Sequence, residues 1–353
     1  MIKVQGLALY GPLAASTRYR LGQYVPGLAS RSIDLQIFHL LGNEYLQRRF
    51  SGGALPVAAI LRGGVARLAD LWRQRDFDLA MVHCELFPLM PGWLERSLMR
   101  QPYIYDFDDA FYLKYRSGRL GMARPLLGNK FDTFMAGSAA VTAGNQVLAR
   151  YASQHNAATH CLPTVVDTGR YLPEPARQNA VFTVGWIGSP STASYLPELV
   201  QPLAALGAEA PLRFVVIGGK APAIPNVEVV ELPWQEHTEV ELINTFDVGI
   251  MPLPDDDWAR GKCAFKLIQY MACGVPVVAS PVGANLDVVD ADCGLLARTP
   301  EMWAQALRVL RDDSGLRRRM GEAGRERVVE HYSLHAALPT LADVIYRAVR
   351  FQV

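Results

Sequence analysis

The chain runs to 353 residues, half of them apolar and a fifth charged, which suits two domains of a soluble globular protein better than one core. Its net charge of +1 conceals an asymmetry: residues 1–170 hold 19 lysines and arginines against 12 aspartates and glutamates, or +7, and residues 171–353 hold 16 against 22, or −6. The arginines are scattered and no DNA- or RNA-binding motif occurs, so nucleic acid is set aside as a partner. The basic half suits an anionic small molecule or membrane surface.

Five cysteines, odd in number and without a CxxC pair, read as reduced thiols in a cytoplasmic protein and offer no structural zinc set. "MIKVQGLALYG" opens the chain as a strand, with neither the basic flank nor the cleavage site of a secretion signal. No apolar run approaches the roughly 20 residues needed to span a bilayer.

After that strand, "YGPLAASTRYRLGQYVPGL" is a loop feeding a helix, with Arg18 and Arg20 near the helix start. Cations there oppose the helix dipole and invite an anion, although solvated surface is the other reading. "LQIFHLL" is a second strand. "GGALPVAAILRGGVARLADLWRQR" follows as a helix mixing Leu, Ile and Trp with Arg62, Arg67, Arg73 and Arg75. Such a segment suits either an anionic lipid surface or, as the favoured reading, an ordinary surface helix. "LAMVHC" and "PYIYDF" are strands, and His39 and His83 at strand ends read as core or rim. "YIYDFDDAFY" sets Asp106, Asp108 and Asp109 around a strand end. The D-x-D spacing of Asp106 and Asp108 can chelate a hard cation, and one capping aspartate at a charged turn is the bland alternative. "AAVTAG" and "ATHCLP" complete the first half, and residues 167–180, with three helix breakers, read as a linker.

The pattern then restarts. "VFTVGWIGSPSTASYL" is a strand, a turn and a helix: Gly185 and Gly188 permit close backbone approach, and Ser189, Ser191 and Thr192 offer hydroxyls to a phosphate, or merely cap the helix. "RFVVIGG", "VEVVELP", "VGIMPL" and "PVVASPV" are further strands, with "LPWQEHTEVELIN" between them carrying Trp234, Glu236 and Glu239. Strands alternating with helices twice over define an α/β protein of two doubly wound domains, whose ligand belongs in a cleft at the carboxyl ends of the two sheets. HExxH, GxSxG and P-loop motifs do not occur.

"GKCAFKLIQYMACGVPVV" is the most informative stretch. Taken as a helix over 262–273, it gathers Lys262, Lys266, Gln269 and Cys273 into an arc of roughly 60° and sets Leu267, Met271, Ala264 and Ile268 opposite. Each lysine in the first turn costs about 0.3–1 kcal/mol against the helix dipole unless an anion sits there. Asp255, Asp256 and Asp257 just upstream supply the alternative neutraliser.

The longer segment "FDVGIMPLPDDDWARGKCAFKLIQYMACGVPVVASPVGANLDVV" resembles the donor-site region of the family 4 glycosyltransferases, the retaining GT-B enzymes of glycosyl transferases group 1. There a helix reading LEAMACGxPVV stands at this place. "VTAGNQVLARYASQHNAATHCLPTVVDTGRY" and "MWAQALRVLRDDSGLRRRMGEAGRERVVEHYS" are similar to that family's first-domain ending and closing helices; residues 40–100 carry no recognisable family motif.

The resemblance implies a GT-B fold of two Rossmann-like domains with an interdomain cleft. Residues 1–168 would form the acceptor side and 169–335 the donor domain, with a C-terminal helix over 336–353 able to pack back on the first. It implies transfer of a sugar, with retention, from a nucleotide-diphosphate sugar to a glycan or lipid-linked acceptor in bacterial surface polysaccharide or lipopolysaccharide synthesis. No metal or other cofactor is expected, and the protein is expected to be cytoplasmic, with peripheral contact at the anionic inner membrane. Gln269, at the place of the family's second glutamate, is expected to meet the donor ribose. Beside it, Gly185, Gly188, Ser189, Thr192, Lys262 and Lys266, as read above, are expected to bind the donor, and Trp234 either flanks its base or, as the favoured reading, is simply packed. Asp108, Asp109 and Lys266 serve the chemistry, with Asp108 at the place of the family's usual histidine. Arg18 and Arg20 meet acceptor or phosphate.

Two departures stand out. Gly261 and Gln269 occupy the positions of the family's two glutamates, and the usual arginine and lysine near Gly188 are absent. They leave open a catalytically inactive nucleotide-sugar-binding partner, or an epimerase or hydrolase on the same fold.

Overall fold

The computed structural model describes residues 1–116, 118–174 and 179–350. The chain forms two compact units. One combines Met1–Thr164 with Gly261–Cys263 and the chain from Leu334 onward; the other comprises Val165–Arg260 and Ala264–Ser333. Part of the expected linker, residues 175–178, lies outside the described residues.

The first unit is built on a parallel sheet of β1 (Ile2–Tyr10), β2 (Ile33–Leu41), β3 (Leu79–His83), β4 (Tyr103–Phe107), β5 (Ala140–Ala143) and β6 (Thr159–Cys161), ordered β2-β1-β3-β4-β5-β6. β3 and β4 are buried along their whole length, as strands covered by helices on both faces should be. Their register sets His83 beside Asp106, and Asp106 beside Thr142, in one row across the sheet. Side chains paired in register share a face, so three polar groups meet inside an otherwise apolar layer. The helix Leu334–Val349 packs against β3 and β4, burying Leu341, Val344 and Ile345, and Tyr346 donates a hydrogen bond to the Arg31 carbonyl at 2.5 Å.

The second unit repeats the plan with β7 (Phe182–Ile187), β8 (Leu212–Ile217), β9 (Glu228–Leu232), β10 (Val248–Met251), β11 (Val277–Ala279) and β12 (Gly294–Leu296), ordered β12-β11-β10-β7-β8-β9 and parallel. The short β12 is absent from the sequence expectation; three residues carry too little pattern to read. Gly185 of β7 pairs with Gly249 of β10. A Cβ on Gly185 would lie 2.1 Å from the Phe246 ring, and one on Gly249 would lie 2.3 Å from the Tyr270 ring. The two glycines form a trough into which the helix Phe265–Ala272 presses Tyr270, whose hydroxyl accepts the Ile187 N–H at 2.9 Å.

Strand order reverses between β1 and β3 in one sheet and between β7 and β10 in the other. Ligands of open α/β sheets bind outside the carboxyl ends of the strands at such reversals. The loops after β3 and β4, and after β7, are therefore where chemistry belongs.

Gly185→Ala tests the trough. The methyl group cannot enter without moving Phe246, and overpacking of this kind costs about 1–3 kcal/mol. Chemical denaturation of the full chain should show that loss, with circular dichroism of the folded protein unchanged.

Candidate functional site

Asp106 has its side chain fully buried in β4, and four donor hydrogens converge on it. Arg20, at the end of the helix Ala15–Arg20, donates from Nε to Oδ2 at 3.1 Å and from Nη2 to Oδ1 at 2.5 Å. Thr142 Oγ1 donates at 2.6 Å, and His83 Nδ1 lies 2.7 Å from Oδ2. Burial alone would raise the Asp106 pKa, but the Arg20 guanidinium and the His83 contact outweigh it and hold the carboxyl far below its usual range. Arg20 also donates to the Leu162 carbonyl at 2.5 Å and is 1% exposed. This corrects the expectation that Arg20 stands open to an acceptor or phosphate: its charge neutralises a core carboxylate. Arg18 is half-buried, and its Nη1 donates to the carbonyls of Pro12 and Leu13 at 2.9 Å each, bracing the loop after β1.

With Nδ1 fixed by Asp106, His83 turns Nε2 toward the next loop, 3.1 Å from Cys84 Sγ and 4.0 Å from Asp108 Oδ1. Asp108 and Asp109 follow β4 with side chains 15% and 29% exposed, the most open of these carboxylates. Burial raises the Asp108 pKa, with His83 opposing and Asp109 adding to the rise. The segment Gly261–Cys263 joins this cluster. Lys262 Nζ donates to Asp109 at 2.9 Å, Cys263 Sγ donates to the Asp108 carbonyl at 2.9 Å, and Asn145 Nδ2 donates to the carbonyls of Gly261 and Lys262 at 2.9 and 3.0 Å.

The expected lysine helix is thereby shortened. It begins at Phe265, after Ala264 adopts a left-handed conformation with φ +52°, so Lys262 stands outside it, paired with Asp109 rather than facing the helix terminus. Its remaining stripe is not a polar face either: Gln269 and Cys273 are buried, and Gln269 donates to the Tyr171 hydroxyl at 2.9 Å.

In the second unit Lys266 is half-exposed in the first turn of the helix, its ammonium 5.6 Å from the Trp186 ring centroid. Gly188 makes room for this stacking, since a Cβ there would lie 2.5 Å from Trp186 and 2.8 Å from Lys266 Cε. Gly218, at φ +78°, abuts the Gly188 carbonyl and Trp234. Trp234 Nε1 donates to Glu239 at 2.6 Å, and Glu239 accepts from Tyr171, which accepts from Gln269. One hydrogen-bonded chain thus links Gln269 to Trp234. Gly185 is a packing residue under Phe246, not a point of backbone approach. The turn after Gly188 satisfies much of itself. Ser189 N–H donates to Thr192 Oγ1 at 3.3 Å, the N–H groups of Thr192 and Ala193 return to the Ser189 carbonyl, and Ser189 and Ser191 hydroxyls meet at 2.9 Å. Those amides are already used within the turn, and Lys266 stands beside it.

Among the described residues one donor group could hold a metal ion: a ring nitrogen of His83, Cys84 Sγ and an Asp108 oxygen lie within 4.8 Å of one another. A thiol–imidazole–carboxylate set suits zinc rather than a hard cation. Asp106 does not join Asp108 as a D-x-D chelate, because Arg20, Thr142 and His83 occupy its oxygens.

Sequence reasoning missed Asn145, visible afterwards as the cap of the helix Gln146–Ser153, and Glu85. The Glu85 carboxylate accepts from Lys130 at 2.8 Å and from Lys114 at 2.6 Å, tying down the loop after β3.

With this geometry in hand, residues 179–313 match the family model described as Glycosyl transferases group 1. The chain is similar to the sucrose-phosphate synthase of Thermosynechococcus elongatus, with 14% identity, TM-score 0.70 and 99% of each chain covered. It is similar to HepE of Anabaena in complex with UDP-glucose, with 15% identity, TM-score 0.70, and 98% of this chain and 100% of that one covered. A glycosyltransferase from Rickettsia africae matches at 12% identity and TM-score 0.68, over 100% of this chain and 99% of that one. No curated protein sequence matches the chain significantly. The likeness to the solved structures is one of fold, and the fold is GT-B.

The Arg20–Asp106 pair yields a stability prediction. Arg20→Ala strands a buried carboxylate and should cost about 3–5 kcal/mol in chemical denaturation. Because the folded pKa of Asp106 lies below its ordinary value of 3.8, the pair's contribution is complete above that value and drains away as pH falls beneath it. The difference between wild type and Arg20→Ala should therefore narrow in acid.

Proposed function

We propose that the chain is a glycosyltransferase taking a nucleoside-diphosphate sugar as donor. The observation that carries this reading is Lys266, whose ammonium stands over Trp186 beside Gly188, at the carboxyl end of β7 and within residues 179–313. Negative charge builds on the diphosphate as its bond to the sugar breaks, and a preorganised cation there lowers the barrier. HepE of Anabaena holds UDP-glucose, which makes UDP-glucose the first donor to test.

In this reading Ser189 and Thr192 border the diphosphate, Trp234 borders the base, and Gln269 holds Trp234 in place through Tyr171 and Glu239. Asp108 and Asp109, on the first unit, orient sugar hydroxyls or steady positive charge at the anomeric carbon. Lys262 holds Asp109 in an ion pair. The acceptor is a glycan or a lipid-linked glycan of bacterial surface polysaccharide synthesis, and the anomeric configuration is retained, as the family resemblance implies. A lipid-linked acceptor calls for peripheral membrane association on the cytoplasmic side; no helix among the described residues is long and apolar enough to cross a membrane.

One observation favours a second reading, a nucleotide-sugar-binding partner without turnover. At Gly261, where the family carries a glutamate, a Cβ would lie 2.6 Å from the Ala110 Cβ. The chain has closed that position to any side chain.

The deciding experiment measures binding and turnover of a panel of nucleoside diphosphates and their sugars, with and without glycan acceptors. Transfer product with one donor, and a loss of about 10²–10³-fold in kcat/KM for Lys266→Ala, is the expected result. Donor binding with neither transfer nor hydrolysis would select the inactive partner, and donor consumption without acceptor would select a hydrolase or epimerase. Activity should survive dialysis against EDTA. A loss restored by zinc would instead assign the His83–Cys84–Asp108 group to the reaction.

A further inference from the structure

The helix Val57–Trp72 leaves an apolar stripe in the open. Val57, Leu61, Val65, Leu68 and Trp72 are between 55% and 69% exposed, and at 100° per residue they share an arc of roughly 80°. The face turned to the core carries Leu71, Ile60 and, between them, Arg67, which is fully buried with Nη2 donating to the carbonyls of Ala8 at 2.6 Å and Phe38 at 3.2 Å. Gly63 fixes this orientation, because a Cβ there would lie 1.9 Å from the Leu40 carbonyl. An amphipathic helix normally buries its apolar stripe, and one left in the open marks a surface awaiting a partner.

The charges around the stripe say which partner. Arg62 is 77% and Arg73 57% exposed, and the guanidinium groups of Arg75 and Arg100 each stand 5.8 Å from the Trp72 ring centroid. Acidic neighbours are few: Glu44 lies 3.8 Å from Arg62, and Asp76 lies 3.8 Å from Arg73. A second copy of this chain fits poorly, since a two-fold contact would bring the same arginines face to face. A bilayer surface accepts all of it at once, with Leu and Val entering the acyl boundary, Trp at the headgroup level and arginines on anionic phosphates.

We propose that the Val57–Trp72 face docks the protein on an anionic lipid surface. This specifies where the peripheral association would be made, and it is read by binding alone, so failure of the transferase reading leaves its result interpretable. The full chain is sedimented with phosphatidylcholine vesicles, with and without phosphatidylglycerol, at low and high salt. The expected outcome is binding to the anionic vesicles that weakens with salt, and a drop of about tenfold or more in partitioning for Arg62→Glu combined with Arg75→Glu. Leu61→Ser combined with Val65→Ser should reduce partitioning as well, while the thermal melting of this variant stays as in the wild type because both side chains already face outward. A wild type left in the supernatant at low salt overturns the proposal, as do variants that bind as well as wild type. A dimer in solution that the Leu61→Ser, Val65→Ser variant dissolves, without vesicle binding, would assign the face to a second copy and overturn it too.

Discussion

A carboxylate without water constrains the whole first unit. Asp106 sits mid-layer in β4, where an unpaired charge would cost several kcal/mol, so the surrounding elements must deliver its partners. Arg20 comes from the helix after β1, Thr142 from β5 and His83 from β3, and the register of three strands is tied to one side chain. Removing one partner strands the other's charge in the layer, so the pair is kept or lost as a unit. What it gives is definition: it fixes which nitrogen of His83 faces inward and so which faces the loop of Asp108.

The two lysines that look alike in sequence have separate fates. Lys262 belongs to the first unit and is held by Asp109, a pair partly screened by solvent and worth little on its own. Lys266 belongs to the second unit and rests on an aromatic face, which orients its ammonium.

Alternation of short apolar runs with helical stretches made both sheets legible in the sequence, since buried parallel strands leave continuous Val, Ile, Leu and Ala runs. The details that failed depend on partners far away in the chain. Arg20 meets Asp106 across 86 positions, and Gly185 is closed by the Phe246 ring. The helix start moved because Ala264 takes a left-handed conformation that nothing in "GKCAFKL" announces, imposed while Asn145 holds the two preceding carbonyls. The helix Val57–Trp72 shows the same limit: its sequence leaves two surface readings open, and only the fit of Gly63 against Leu40 shows which side turns in. The place of Lys266 in the first turn of its helix was legible because its spacing from the helix stop is local.

The returning helix Leu334–Val349 has a consequence for how the protein is made. It covers β3 and β4 of a unit whose sheet is otherwise complete by Thr164, so during synthesis that sheet emerges long before its cover. At ordinary elongation rates the gap between residues 164 and 334 amounts to roughly 10–30 s. For that interval β3 and β4 lack the helix that later packs against them.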